Sequence, residues 1–256
     1  MIGLGLGLVF LAPIELNIYD NETKIEIVFD KTPYTPYQDE YEKMLYPTVR
    51  ITTGFATGSG VIIETTDKHG YTLILTAAHV VEDKTIVNIE LYNSEIITGT
   101  VVITDTIKDL ALIRVIRGIR DIRVKDIYSA HLAPKNYTPY IFTPVYSVGC
   151  SLGLAPRPSS GMITAISHQD TKTPSSSCLS AFVVDYWEVS SPILPGNSGG
   201  PVFDARTYEV IGIAVWVHTY QGQLITTMAG VVPINQIYEF LEKGKQGNCG
   251  SGDAGR

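Results

Sequence analysis

Basic charge, cysteine, long apolar runs and helical periodicity are all scarce in this chain of 256 residues. It has 19 Lys and Arg against 26 Asp and Glu, a formal net charge of -7. The pI of about 5.2 follows from that balance. Such a charge argues against nucleic acid or an anionic membrane surface as the main partner. Three cysteines are too few for a disulfide scaffold, and an odd number leaves at least one unpaired within the chain. One bridge is allowed, with Cys150 and Cys178 the first choice of partners. The uncharged start MIGLGLGLVFLAPI, residues 1–14, falls short of the about 20 apolar residues that a spanning helix needs. It looks like the apolar core of a secretory signal without the basic start. It therefore predicts an exported or membrane-associated protein, with an incomplete start or a buried strand as the alternatives. No internal repeat is visible as identity.

A hydrophobic fraction of 45% is enough for a substantial core. Most of it is spent in short runs rich in Val, Ile and Thr with turn residues between them, the composition of strands. One series lies at 48–52, 60–64, 71–76, 85–91, 95–103 and 110–115. A second lies at 144–148, 161–168, 181–189, 201–204, 209–217 and 223–232. A more charged, proline-bearing connector at 117–139 separates them. Only 234–243 has helical spacing, with Ile234, Ile237, Tyr238 and Leu241 on one face. The pattern predicts an all-β fold of two antiparallel six-stranded barrels with a short C-terminal helix. The expected divisions are an apolar segment and irregular lead-in at 1–46, with a strand at 24–29, an N-terminal barrel at 47–130, a C-terminal barrel at 131–243 and a disordered tail at 244–256.

The chemistry concentrates in three places. Gly196-Asn197-Ser198-Gly199-Gly200-Pro201 holds one serine in a glycine-rich turn. Such a turn can aim the N–H groups of Gly196 and Ser198 at one point, as an oxyanion requires. Thr76-Ala77-Ala78-His79 ends an apolar run in small residues. Of the histidines His69, His79, His131, His168 and His218, only this one sits at a strand end where a ring could face a cleft and take a proton. Asp109 stands immediately before the apolar run 110–113, where a carboxylate needs a partner. An imidazole N–H is a suitable one. Asp105 is the weaker rival, a turn earlier among polar residues.

These three motifs, in the order His79, Asp109, Ser198, resemble the chymotrypsin-like (trypsin-like) serine proteases. Within that clan the chain looks most like the HtrA/Deg protease domain. Gly58-Ser59-Gly60-Val61-Ile62-Ile63, Glu209-Val210-Ile211-Gly212-Ile213 and Gly230-Val231-Val232-Pro233 carry that likeness, which covers roughly residues 47–241. The resemblance implies a serine endopeptidase acting on polypeptides through a Ser198–His79–Asp109 triad, an oxyanion hole from Gly196 and Ser198, and an acyl-enzyme. It calls for no cofactor and no metal. A catalytically silent binding or chaperone-like module of the same fold is the alternative. Family analogy extends to a homotrimer, with Tyr34, Tyr37 and Tyr41 as interface candidates.

Departures from the family pattern carry expectations too. Only fifteen residues follow Leu241, so no PDZ domain and no peptide gating through one are expected. Val80 replaces the cysteine that digestive members place after the histidine. Asn197 replaces the aspartate that pairs with a newly cut N-terminus, so activation by that ion pair is not expected. Pro192 stands where trypsin-like members have an acidic pocket base, six positions before the serine. Val215-Trp216-Val217 matches the substrate-pairing strand, with Val217 where glycine leaves a pocket mouth open. The resemblance thus implies cleavage after small or aliphatic residues.

Overall fold

Val, Ile and Thr branch at Cβ, which restricts their rotamers and suits them to a pleated, half-buried surface. The computed structural model describes residues 38–54, 56–66, 71–116, 127–171 and 183–247, and in it each of the twelve runs of the two series holds a strand. The first six are β1 Thr48–Thr53, β2 Ala56–Thr66, β3 Tyr71–Thr76, β4 Ile86–Glu90, β5 Ile96–Asp105 and β6 Leu110–Ile116. They close into an antiparallel barrel in the order β1-β2-β3-β6-β5-β4. The second six are β7 Pro144–Gly149, β8 Arg157–Thr171, β9 Val183–Val189, β10 Pro201–Asp204, β11 Val210–Tyr220 and β12 Gln223–Pro233. They close in the order β7-β8-β9-β12-β11-β10, the same path around the barrel. Closure leaves no open sheet edge.

Alternation fills each barrel. In β4, Val87 and Ile89 point inward and are buried, while Ile86 and Asn88 face out. Ile51, Ile74, Leu75, Ile89, Leu110 and Ile113 fill the first core, and Ile163, Tyr186, Phe203 and Ile211 the second. The connector meets each barrel separately. Ala130 N–H donates to Ile62 O at 2.8 Å, and Ala133 N–H to Val210 O at 2.9 Å.

Two helical features differ from the expectation. The lead-in is not irregular throughout: Tyr41–Leu45 makes one π-helical turn. Its hold comes from buried Met44, from the Thr48 hydroxyl donating to Met44 O at 2.7 Å, and from Tyr46 stacking on Tyr92 at 4.2 Å. The C-terminal helix runs Ile234–Gly247, four residues past the predicted end at 243. Gly244 sits so close to β5 that a Cβ would lie 2.0 Å from Ile103 Cδ1. Glycine there reads as a helix stop in sequence, yet it lets the helix press onto the first barrel. The helix buries Ile234, Ile237 and also Phe240, which the predicted stripe omitted. Lys108 Nζ donates to Glu239 Oε2 at 2.5 Å and Lys135 Nζ to Glu242 Oε1 at 2.8 Å. Among the described residues no helix is long and apolar enough to cross a membrane. The start at 1–14, the strand at 24–29, Tyr34, Tyr37 and Cys178 lie outside the described residues. Tyr41 is exposed, its ring edge on Tyr46 at 5.8 Å.

A fully buried carboxylate ties the connector to the second barrel. Asp204 accepts the Tyr137 hydroxyl at 2.6 Å and the Arg206 guanidinium at 2.6 and 3.0 Å. It also accepts the Arg206 N–H at 2.8 Å. Burial alone would push its pKa up, but the Arg206 and Tyr137 hydrogen bonds outweigh it and hold the group below its ordinary value. A depressed carboxylate pKa adds stability above the unfolded-state value and loses it as pH falls through the folded one. Asp204→Asn is therefore expected to destabilise the fold by about 2–3 kcal/mol at neutral pH. In denaturant titrations the gap from wild type should narrow as pH drops below about 4. A gap that stayed constant down to acid pH would contradict this role.

Candidate active site

His79 is presented by a four-residue helix, α1 Ala78–Val81. β3 ends at Thr76 and Ala77 stays extended before the helix starts. Small side chains let this turn pack tightly: Ala77 and Ala78 are buried, as are Val80 and Val81. Three faces inward leave His79 turned out, its side chain 46% exposed. The ring lines a cleft of about 360 Å³ shared with Glu82, Asp83, Thr104, Thr106 and Asp109.

Asp109 closes the β5–β6 turn with φ of 56°, a left-handed conformation that Asp tolerates better than most residues. Asp105 holds that turn: its Oδ1 accepts the N–H groups of Ile107 and Lys108, each at 3.0 Å. Asp109 is thereby aimed at α1. Its Oδ1 accepts the His79 N–H at 2.9 Å, and its Oδ2 lies 2.7 Å from His79 Nδ1. An ionised carboxylate only accepts, so a neutral His79 ring carries its proton on Nδ1 and leaves Nε2 with its lone pair. The two candidate aspartates thus have different duties: Asp105 braces the turn and Asp109 meets the histidine.

Ser198 comes from the loop before β10. That loop bonds to the first barrel as well as to its own. Ser59 N–H donates to Ser198 O at 2.8 Å, and Gly199 lies so near the histidine turn that a Cβ would be 2.2 Å from Thr76 Oγ1. Gly196 has φ of +97°, and a Cβ on it would meet Cys150 O at 2.4 Å, so glycine is required twice over. Three N–H groups of the loop already have main-chain partners. Asn197 donates to Leu194 O, Gly199 to Ala214 O and Gly200 to Asn197 O. Among the described residues Gly196 and Ser198 donate to no main-chain carbonyl. Leu152 N–H holds Pro195 O at 2.7 Å, and in a trans peptide the Gly196 N–H then points the opposite way. Asn197 is buried and accepts the Ser151 hydroxyl at 2.6 Å. Ser198 Oγ forms no hydrogen bond to His79 among the described residues. Such bonds are often long before substrate binds and tighten afterwards.

Of the residues expected to touch substrate, Pro192 lies between β9 and β10 and Val215, Trp216 and Val217 lie on β11. Pro192 is exposed, with its carbonyl accepting the Ser159 hydroxyl at 3.0 Å. Val215 sits at a β-bulge: register passes from Ala214 opposite Val231 to Trp216 opposite Gly230, skipping Val215. A bulged residue leaves the ladder and re-aims its backbone. Trp216 packs edge-on between Tyr186 at 5.8 Å and His218 at 4.7 Å, over Gly230. Val217 is half-buried opposite Ala229. Sequence reasoning passed over Glu188 and His218. Glu188 is buried and accepts from His218 Nε2 at 2.9 Å. The signal was present, since one charge inside the apolar run Tyr186-Trp187-Glu188-Val189 needs a partner. Cys150, expected first in any bridge, is a free buried thiol, and burial pushes its pKa up to about 11.

The family model for the trypsin-like peptidase domain matches residues 58–213, more than half of the chain. The chain belongs to the trypsin-like peptidase family. Among curated proteins this trypsin-like chain is 30% identical over 158 residues to HhoB of Synechocystis sp., which carries a serine protease name; the match covers 61% of the chain and 33% of HhoB. It is 27% identical over 198 residues to an HtrA-like serine protease of Staphylococcus epidermidis, covering 73% of the chain and 30% of that protein. The chain therefore spans about a third of the length of the relatives it matches. Among solved structures it shares its fold with a serine endoprotease of Yersinia pestis, with a TM-score of 0.63, 21% identity, and coverage of 84% of this chain and 68% of that one. The HtrA-type protease AlgW with a tripeptide aligns with a TM-score of 0.64 and 20% identity, over 81% of this chain and 62% of that one. The architecture is the chymotrypsin-like one of paired six-stranded barrels.

Proposed function

We propose that this trypsin-like domain is a serine endopeptidase in which Ser198 is the nucleophile. His79 Nε2 takes the hydroxyl proton as Ser198 Oγ attacks a peptide carbonyl. Asp109 fixes the ring tautomer and stabilises the imidazolium that forms. The N–H groups of Gly196 and Ser198 hold the oxyanion. The imidazolium then returns its proton to the leaving amine, and water hydrolyses the acyl-enzyme by the same route. The observation that carries this reading is the 2.7 Å contact between His79 Nδ1 and Asp109 Oδ2. The likeness to an HtrA-type protease solved with a tripeptide supports a polypeptide substrate. The alternative, a silent binding module of the same fold, predicts no peptide turnover by the wild type.

Three substitutions separate the roles. Ser198→Ala should lower kcat on a peptide substrate by on the order of 10⁶. Asp109→Asn should lower it by roughly 10⁴ through the wrong tautomer. Asp105→Asn should cost far less, because Asp105 bonds only the turn's N–H groups. Steady-state kinetics in which Asp105→Asn is the more damaging change would reverse the assignment, and a Ser198→Ala protein with near-normal turnover would end it.

The pocket reading follows from charge and volume. Pro192 offers no carboxylate, and buried Glu188 on the neighbouring strand is taken by His218. A lysine or arginine side chain would enter without a partner, at a cost of several kcal/mol. Val217 adds bulk where a large ring would pass, and overpacking costs about 1–3 kcal/mol. The expected result in a peptide library scored by the residue before the cut is Ala, Val or Leu, with very little Lys or Arg. Val217→Gly should raise kcat/KM for Phe relative to Ala. A dominant Arg or Lys signal would overturn the pocket, whereas a Phe signal would overturn only the role of Val217.

A further inference from the structure

Ser59 lies on β2, in the other barrel from the nucleophile, and is fully buried. No step of the mechanism above uses it. Its hydroxyl accepts the Cys150 N–H at 2.8 Å and donates to Gly196 O at 2.6 Å. The incoming N–H occupies an acceptor position and carries no lone pair, so the polarity is fixed from Cys150 through Ser59 to Gly196. The Ser59 main chain adds two more bonds. Its N–H donates to Ser198 O at 2.8 Å, and its carbonyl accepts the Thr76 hydroxyl at 2.6 Å, beside the histidine turn.

These bonds bear on three of the four peptide planes between Pro195 and Gly199. The plane before Gly196 is held through Pro195 O by Leu152 N–H. The plane after Gly196 is held through Gly196 O by the Ser59 hydroxyl. Just beyond, Ser198 O is held by the Ser59 N–H. The two N–H groups assigned to the oxyanion, of Gly196 and Ser198, lie on either side of the plane that the Ser59 hydroxyl pins. Gly196 has no side chain to resist rotation about its own φ and ψ. The carbonyl partner therefore decides how the two donors converge.

We propose that Ser59, through its hydroxyl, is a positioning residue that sets the direction and spacing of the Gly196 and Ser198 N–H donors. The proposal rests on the oxyanion role given to those donors. Donors that act on the transition state alone affect kcat and leave KM nearly unchanged when disturbed. Ser59→Ala should lower kcat about 10- to 100-fold, less than the loss of a whole oxyanion donor, while KM stays within about twofold.

Burial makes a packing loss at Ser59→Ala conceivable, so a volume-matched pair is the firmer comparison. Ser59→Thr keeps the hydroxyl and Ser59→Val lacks it, while both add the same bulk. With active sites counted by titration, kcat should recover in the Thr variant relative to the Val variant by about tenfold or more. Equal kcat in the two would overturn the proposal. The wild-type complex with a peptide boronate supplies a test that needs no variant. A boronate oxygen should lie within hydrogen-bond distance of both donors with the Ser59 hydroxyl still on Gly196 O. A complex in which the hydroxyl has left Gly196 O would overturn the positioning role while leaving the peptidase reading intact. A wild type that neither binds the boronate nor cleaves peptide would overturn both.

Discussion

The site is divided between two barrels, and the main chain around Ser59 is the seam that joins the halves. Each barrel closes on itself and satisfies its own ladder, so nothing in either sheet obliges the two to meet in one register. The obligation comes from a few buried groups. Ser59 bonds Ser198 O and Gly196 O on one side and Thr76 on the other. Gly199 closes the same contact, because any side chain there would strike Thr76. Buried polar groups of this kind carry a high penalty if unpaired, so they fix relative placement more sharply than apolar contact does. The histidine turn begins immediately after Thr76, so the register of the seam is also the register of Ser198 against His79.

Electrostatics enter at a second level. Asp109 is placed by its turn, with Asp105 capping the turn's N–H groups and Lys108 tied to Glu239 of the C-terminal helix. The helix that ends the second barrel thus braces the aspartate of the first. Asp109 adopts a positive φ there, a conformation tolerated because the surroundings hold it. The carboxylate has both a ring N–H and a main-chain N–H of His79 to accept. That pairing orients a ring carried on a helix of only four residues.

Much of this was legible in the sequence. The twelve strands announced themselves as β-branched runs between turns, and the equal strand order of the two barrels appears without any repeat in identity. Topology is conserved by hydrogen-bond closure and needs only alternation, so the two halves can share a path and no residues. The triad candidates were readable because each combined a chemical group with a local anomaly: a serine among glycines, a histidine after alanines, an aspartate before a buried strand. What escaped was of another kind. The helix extending through Gly244 depends on a gap against Ile103, a fact of tertiary packing. Ser59 was noticed only as part of a motif, since a hydroxyl's partners across 137 positions leave no local trace. The Glu188–His218 pair joins two strands thirty positions apart, and only the isolated charge on one of them hinted at it.

The central claim is that Ser198 is an activated nucleophile, and covalent labelling with a fluorophosphonate measures that directly. Wild-type protein should take up one label, mapped by mass spectrometry of the digested chain to the peptide carrying Ser198, and unfolded protein should take up none. Labelling that is absent from the folded wild type, or that falls on another serine, would contradict the assignment.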